Sequence, residues 1–231
     1  MSYRERPTIV PGAVLWQRTV GPAPELTRIL PDGCMDLLWD GRRLFVAGPD
    51  ATARQHQSRA GVSYVALRFS GGTGPALLEV PADTVRDQTP DLQELWPSAE
   101  ARRLAERVAE DPVPTLEAWA VERAASREVD PVGPRVLTMA AAGTSVAVIA
   151  ERLGLSARHL HRRCLPIFGY GPLRLARVLR LCRAVDESLT GVPLAQVAAG
   201  CGYADQAHLS REMRALAGTT PTGLLLELGS R

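Results

Sequence analysis

One pattern is written twice in this chain, and it constrains the fold more than any other feature. Ile149 and Ala150 stand just before Gly154, and Val197 and Ala198 stand just before Gly202, 48 residues further on. Repetition of one grammar at a fixed offset marks an internal duplication. In the first copy Ser145 is a candidate N-cap, and Val146, Ile149, Ala150 and Leu153 share one face of a short helix. Gly154 supplies the left-handed exit, and Ser156 caps a second helix beginning Ala157-Arg158-His159-Leu160. In the second copy Pro193, Leu194, Val197 and Ala198 form the short helix, Cys201-Gly202-Tyr203 the turn, and Ala204-Asp205-Gln206-Ala207 the start of the next helix. A short helix, a Gly-containing turn and a second helix make a helix-turn-helix. The small side chains of Ala150 and Ala198 fall where two such helices cross closely.

On the second helix of each unit, Leu160 and Cys164, and then Leu209, Met213 and Leu216, point inward at helical spacing. Arg158, His159, His161, Arg162 and Arg163 remain outward in the first unit, with Ser156 at its start. Gln206, Ala207, His208, Ser210, Arg211 and Arg214 remain outward in the second. Arginine, glutamine, histidine and serine are the side chains that reach base edges and phosphates, so these twelve are the candidate contacts to double-stranded DNA. Between the units Leu173–Leu189 reads as one continuous helix. At about 1.5 Å per residue it is roughly 25 Å long, enough to hold two reading helices about one DNA turn apart.

The charge follows the same division. Residues 1–130 carry 15 Arg against 19 acidic residues, a balance of −4, whereas residues 131–231 carry 12 against 6, a balance of +6. A basic C-terminal part joined to a mildly acidic one points to a polyanionic partner for the former alone. The basic residues are all arginine, from which nothing mechanistic follows. Asp130-Pro131 and Gly133-Pro134, within Arg127–Pro134, mark the linker.

Residues 8–70 are apolar runs (Ala13–Gln17, Leu26–Leu30, Met35–Trp39, Leu44–Ala47 and Tyr64–Phe69) broken by Pro- and Gly-containing turns. That punctuation predicts an antiparallel sheet or small barrel, with a hairpin at Asp40-Gly41. Leu92, Leu95, Trp96, Leu104, Val108, Leu116, Trp119 and Ala120 then recur at helical spacing, Pro112 and Pro114 dividing two helices. The fold class is therefore α+β, in three parts. Residues 1–90 are a β-rich sensor or effector domain, and 91–130 a helical connector that would also serve as a dimerisation surface. Residues 131–231 are an all-α domain of two helix-turn-helix units joined by a long helix.

The run Gly202-Tyr203-Ala204-Asp205-Gln206-Ala207-His208-Leu209-Ser210-Arg211-Glu212-Met213, followed by Gly218-Thr219-Thr220-Pro221, resembles the signature of the AraC/XylS transcription activators. Ile149-Ala150, Gly154-Leu155-Ser156, Leu160, Arg162 and Gly169 match it in the first unit, and the resemblance covers about 135–228. It implies that the helices starting near Ser156 and Ala204 enter successive major grooves. Arg158, His161 and Arg162, with Gln206, Ala207 and Arg211, would meet base edges, while Arg163 and Arg214 would meet phosphates. Cys164, Leu209 and Met213 stand where the family often has aromatics, all at inward positions. Pro166 is expected to shorten or kink the first reading helix. In the other half, Leu30-Pro31-Asp32-Gly33-Cys34-Met35-Asp36-Leu37, Gly48-Pro49, Arg68-Phe69 and Val80-Pro81-Ala82 resemble a half-cupin effector domain, which implies a small β-barrel around a small molecule.

Trp16, Cys34, Trp39, His56 and Arg68 are the candidate ligand-binding residues, because a few polar groups among aromatics are the usual composition of such a site. Trp16 and Trp39 fit a core equally well, and Cys34 fits an inert small apolar residue. A redox-sensing Cys34 would need a lowered pKa. A cupin metalloenzyme would need clustered His and carboxylates, but the N-terminal half holds only His56. A cysteine-based DNA alkyl-transfer protein would need a four-cysteine zinc site, but residues 1–130 hold only Cys34. Neither catalysis nor a cofactor or metal is expected. The four cysteines, Cys34, Cys164, Cys182 and Cys201, are scattered as in a reducing compartment. Nothing at the N-terminus reads as a signal peptide and no run suits a membrane helix, so a cytoplasmic regulator is expected. Its partners would be promoter DNA, RNA polymerase, a small-molecule effector and a second copy of itself. The alternative is a ligand-independent DNA-binding protein whose N-terminal domain serves only dimerisation or partner contact.

Overall fold

The computed structural model describes residues 2–70 and 72–229. Seven strands come first among these residues: β1 (Ser2–Pro7), β2 (Ala13–Thr19), β3 (Glu25–Ile29), β4 (Met35–Trp39), β5 (Leu44–Ala47), β6 (Arg54–Ser58) and β7 (Ser63–Phe69). They form a five-stranded sheet of order β1-β2-β7-β4-β5 and a separate β3–β6 ribbon, every pair antiparallel. All five apolar runs of the sequence become strands. β1 and β6 escape that reading because Arg54-Gln55-His56-Gln57-Ser58 contains no apolar residue. The hairpin falls at Asp40-Gly41, where Gly41 takes φ +85°. The Asp40 carboxylate accepts from the backbone N–H groups of Arg42 and Arg43 at 3.0 and 2.9 Å.

Successive side chains of a strand point to opposite faces of its sheet. Leu15, Leu37, Leu67 and Phe69 go to one face, joined by Trp39 and Val46. Trp16, Leu38, Phe45 and Tyr64 go to the other. The first face is covered by α1 (Gly74–Leu78), a 3-10 turn (Ala82–Thr84), α2 (Leu92–Leu95), α3 (Ser98–Glu110) and α4 (Pro112–Ser126). The stretch 91–130 therefore does not stand apart as a connector. Leu92, Trp96, Leu104, Val108, Leu116 and Trp119 share one core with the sheet. Phe69 and Trp119 meet edge to face with centroids 6.2 Å apart, and the Trp96 indole N–H donates to the Leu78 carbonyl at 2.7 Å.

The rest is helical: α5 (Val132–Ala141), α6 (Val146–Arg152), α7 (Ala157–Phe168), α8 (Pro172–Leu189), α9 (Leu194–Gly200), α10 (Gln206–Ala217) and α11 (Pro221–Gly229). Two small cores result. Val136, Ile149, Leu160 and Phe168 pack on Leu175 and Val178, while Val197, Leu209, Met213 and Leu216 pack on Leu181 and Val185. The 18-residue α8 thus belongs to both. Contrary to expectation, α7 runs through Pro166 to Phe168 and stops at Gly169, φ +78°. Pro166 lies in the last turn, so its ring removes one N–H near an end where carbonyls are already leaving the ladder.

Leu116 is wholly buried beneath the sheet. Leu116→Ala is expected to destabilise the N-terminal half by about 2–5 kcal/mol, read by tryptophan fluorescence during urea unfolding. A detachable connector would tolerate it with little change.

Candidate functional site

The two helix-turn-helix units share the hydrogen bond that closes the turn. Leu155 N–H donates to Ala150 O and Tyr203 N–H to Ala198 O, each at 2.9 Å. Gly154 and Gly202 take φ +64° and +77°, a conformation glycine reaches without the Cβ penalty. Ser145 caps α6 by accepting from Val148 N–H, and Ser156 caps α7 by accepting from His159 N–H at 3.2 Å. In the second unit Asp205 caps α10, accepting from His208 N–H at 2.6 Å. Its cap falls 49 residues after Ser156, so Ala204 is one inserted residue.

Arg158, His161, Arg162, Gln206, Ala207, Arg211 and Arg214 are exposed. Other candidates have structural partners. Ser156 is occupied as a cap. Of the exposed set, His161 also has its ring over Gly171, where an added Cβ would come within 2.3 Å of Nδ1. His159 and Ser210 are half-buried. His208 Nδ1 accepts from Ala204 N–H at 3.3 Å, and its ring meets Tyr203 edge to face. Arg163, expected at a phosphate, instead donates to both carboxylate oxygens of Asp130 at 2.9 and 2.7 Å and tethers α7 to the linker.

Sequence reasoning gave Glu212 no role, yet it holds the second reading helix to the rod. It is 8% exposed, accepts from Arg177 at 2.9 and 3.0 Å, and lies 3.4 Å from Arg180. Burial works to raise its carboxyl pKa, but the two guanidinium groups prevail and hold it below the ordinary range. Arg180 also stacks on Tyr203, 4.4 Å from the ring centroid.

A second site lies on the sheet face turned away from the helices. That face, the β3–β6 ribbon and the middle of α8 bound a cavity of about 730 Å³. Trp16, Cys34, His56 and Arg68 line it as expected. Trp39 does not: strand alternation sends it with Met35 and Leu37 into the helical core, and Asp36 and Leu38 face the cavity instead. Cys182, Val185 and Asp186 of α8 also line it, which no N-terminal pattern could disclose. The DNA-binding half therefore meets the cavity directly through α8, whereas Leu92, Trp96, Leu104 and Trp119 pack on the opposite face of the sheet.

Two polar pairs stand among the many polar groups that line the cavity. Asp36 and Arg68 are register partners on β4 and β7. The Asp36 carboxylate accepts from Trp16 Nε1 at 3.1 Å and from Arg68 Nε at 3.2 Å. Burial raises the Asp36 pKa and the Arg68 charge opposes that rise. Cys34 is pushed well above its ordinary value by burial and by Asp32 and Asp36, so it stays a protonated thiol, unlike a redox sensor. In the second pair His56 Nε2 lies 3.3 Å from the Tyr64 hydroxyl. Burial and the charges of Arg54, Arg18 and Arg43 depress its pKa. No group of three or more His, Cys, Asp or Glu among the described residues could hold a metal ion. No helix among them is long and apolar enough to cross a membrane.

Two capped reading helices carried on one rod, with arginine and glutamine on their open faces, define a double helix-turn-helix DNA-binding protein. Residues 149–226 match a family model described as a helix-turn-helix domain, and residues 13–91 match one described as a domain of unknown function, DUF6597. No curated protein matches the chain. Among solved structures, an apo lysine-to-alanine variant of ToxT from Vibrio cholerae strain SCE256 is 12% identical with a TM-score of 0.50, covering 94% of this chain and 98% of that one. ToxT from the same strain with an unsaturated fatty acid bound is 10% identical with a TM-score of 0.47, covering 97% and 95%. A probable AraC family transcriptional regulator from Rhodopseudomonas palustris CGA009 is 21% identical with a TM-score of 0.37, covering 42% and 96%. The chain thus carries a C-terminal double helix-turn-helix domain behind an N-terminal β domain, and shares that fold with the ToxT variant.

The depressed His56 pKa has a thermodynamic sign. Below about 6.5, the ordinary histidine value, the unfolded chain takes up a proton that the folded chain refuses. The contribution is fully present above that pH and is lost as pH falls through the window. His56→Gln is expected to flatten the fall in melting temperature on acidification, measured by circular dichroism beside wild type.

Proposed function

We propose that this chain is a transcription regulator of the AraC/XylS type, that it reads a two-part operator with α7 and α10, and that a small molecule in the N-terminal cavity controls it. Arg158, His161 and Arg162 in one major groove, and Gln206, Ala207 and Arg211 in the next, are the residues assigned to base edges. Ala207 has only a methyl group to offer, which suits a thymine methyl. Arg214 is assigned to phosphate, where a contact positions the protein without reading sequence. The observation that carries the DNA reading is the duplicated, capped helix pair with these side chains exposed. The tethering of Arg163 to Asp130 argues for giving it a lesser role at the DNA.

The effector reading rests on the cavity. Its volume falls in the range of small-molecule sites, and it combines apolar wall from Trp16, Leu38, Phe45 and Val185 with several arginines and aspartates. The Asp36–Arg68 pair and the His56–Tyr64 pair are the polar anchors. The ligand would then be a small molecule with an apolar body and polar groups that meet these charged side chains. A cavity walled on one side by α8 favours this over the ligand-independent alternative. A regulatory rather than enzymatic role in the cytoplasm, with RNA polymerase as partner, completes the reading. A homodimer would use the outer faces of α3 and α4.

Binding to fragments of the upstream region, against random DNA across a salt series, tests the first part. Arg162→Ala and Arg211→Ala should each lose about 1–3 kcal/mol of discrimination while keeping nonspecific, salt-dependent binding. Equal losses on every sequence would assign both arginines to phosphate. A thermal-shift screen tests the second part, since an effector at 100 times its Kd stabilises the native state by about 2.7 kcal/mol. Leu38→Trp, which pushes an indole into the cavity, should weaken the shift, and a hit unaffected by it binds elsewhere.

A further inference from the structure

Each reading helix ends on the N-terminal domain. At the end of α10, Leu216 O accepts from Ala53 N–H at 2.6 Å and Ala217 O accepts from Arg28 Nη1 at 2.9 Å. The last carbonyls of a helix lack partners within it, so these donors from β3 and the β5–β6 loop complete α10 from outside. Arg28 is braced by Glu227 of α11 through Nε and Nη2, at 2.8 and 3.1 Å. At the end of α7, Gly169 O accepts from Arg86 Nη1 at 3.1 Å. An added Cβ on Gly169 would stand 2.5 Å from Pro49 and 3.2 Å from Ala82 O, so the backbones are in close contact there.

Pro49 and Ala53 belong to one loop, residues 48–53, so a single short segment touches the ends of both reading helices. That loop is itself held. Gly48 N–H donates to Gln88 O at 3.1 Å, Ala51 N–H donates to Asp87 Oδ1 at 2.6 Å, and Asp50 pairs with Arg54 at 2.9 Å. A Cβ on Gly48 would fall 1.8 Å from Val85 O. The loop and the two arginines thus hold the C-terminal ends of both reading helices, at Gly169 just before α8 and at Leu216 and Ala217 of α10.

We propose that loop 48–53, with Arg28 and Arg86 as positioning residues, sets the separation and orientation of α7 and α10, and so the half-site spacing that the protein accepts. Asp50, Arg54 and Arg28 also line the cavity, so an occupant there would reset the same contacts. This corollary rests on the effector reading, whereas the spacing role does not.

The experiment uses the full chain with no small molecule added. Wild type first selects duplexes from a random pool. The recovered site is then rebuilt with one to three base pairs added or removed between its halves. Wild type should lose about tenfold or more in affinity away from its chosen spacing, because only one geometry lets both helices engage together. The Arg28→Met/Arg86→Met double variant keeps side-chain bulk but not the caps. It should bind an isolated half-site as wild type does, and its preference among spacings should shrink to about threefold or less. Arg28→Lys in place of Arg28→Met, which returns a donor toward Ala217 O, should recover part of the preference. A wild-type spacing profile in the folded double variant would overturn the proposal. So would an even loss at every spacing, because the contacts would then serve affinity and not geometry. Either result leaves the cavity reading to be judged by its own thermal-shift test.

Discussion

The alternation of side chains across the five-stranded sheet is the constraint on which the rest of this molecule depends. Each of β2, β4, β5 and β7 must place neighbouring residues on opposite faces. One face is apolar along all four strands and recruits α2, α3 and α4, whose Trp96 and Trp119 complete the main core. With that face buried, the other is free to carry Asp36 and Arg68 beside Trp16 and Phe45, residues that no single-faced core would accept together. A one-residue slip of β4 would exchange Asp36 for Leu37 and put an unpaired carboxylate into the core, which is why the register is not negotiable.

The DNA-binding half is organised by a different economy. Neither helix-turn-helix unit buries enough apolar surface to stand far from its neighbour, and α8 supplies part of both cores. The consequence is mechanical. A displacement of α8 reaches both reading helices, and the Glu212 pairing with Arg177 and Arg180 makes α10 move with it. The middle of the same helix faces the cavity through Cys182, Val185 and Asp186, so the DNA-binding half closes one side of the N-terminal site.

Much of this was legible in the residues. The duplicated Ile-Ala…Gly and Val-Ala…Gly patterns gave both units, their turns and the long helix between them. The five apolar runs gave five of the strands. What escaped has local causes. β6 is polar throughout and becomes a strand only because Thr27 and Arg28 of β3 pair with its His56 and Gln55. Trp39 looked like a ligand residue because an aromatic beside a turn suits a pocket and a core equally, and only its parity within β4 decides. Pro166 breaks a helix in mid-run, but here it falls in the last turn of α7, and where that helix ends is set by Gly169.

The sequence by itself determined the double helix-turn-helix, the basic balance that goes with it and the α+β division. Those properties rest on short-range periodicity, capping chemistry and summed charge, all of which are written within a few residues of one another. Tertiary structure alone decided that residues 91–130 complete the core beneath the sheet, that the cavity borrows a wall from α8, and that both reading helices end on one loop of the N-terminal domain. Each of these joins residues far apart in the chain, as Arg28 with Glu227 and Ala53 with Leu216 do. Such contacts depend on how whole faces meet, and no local pattern records which face will meet which.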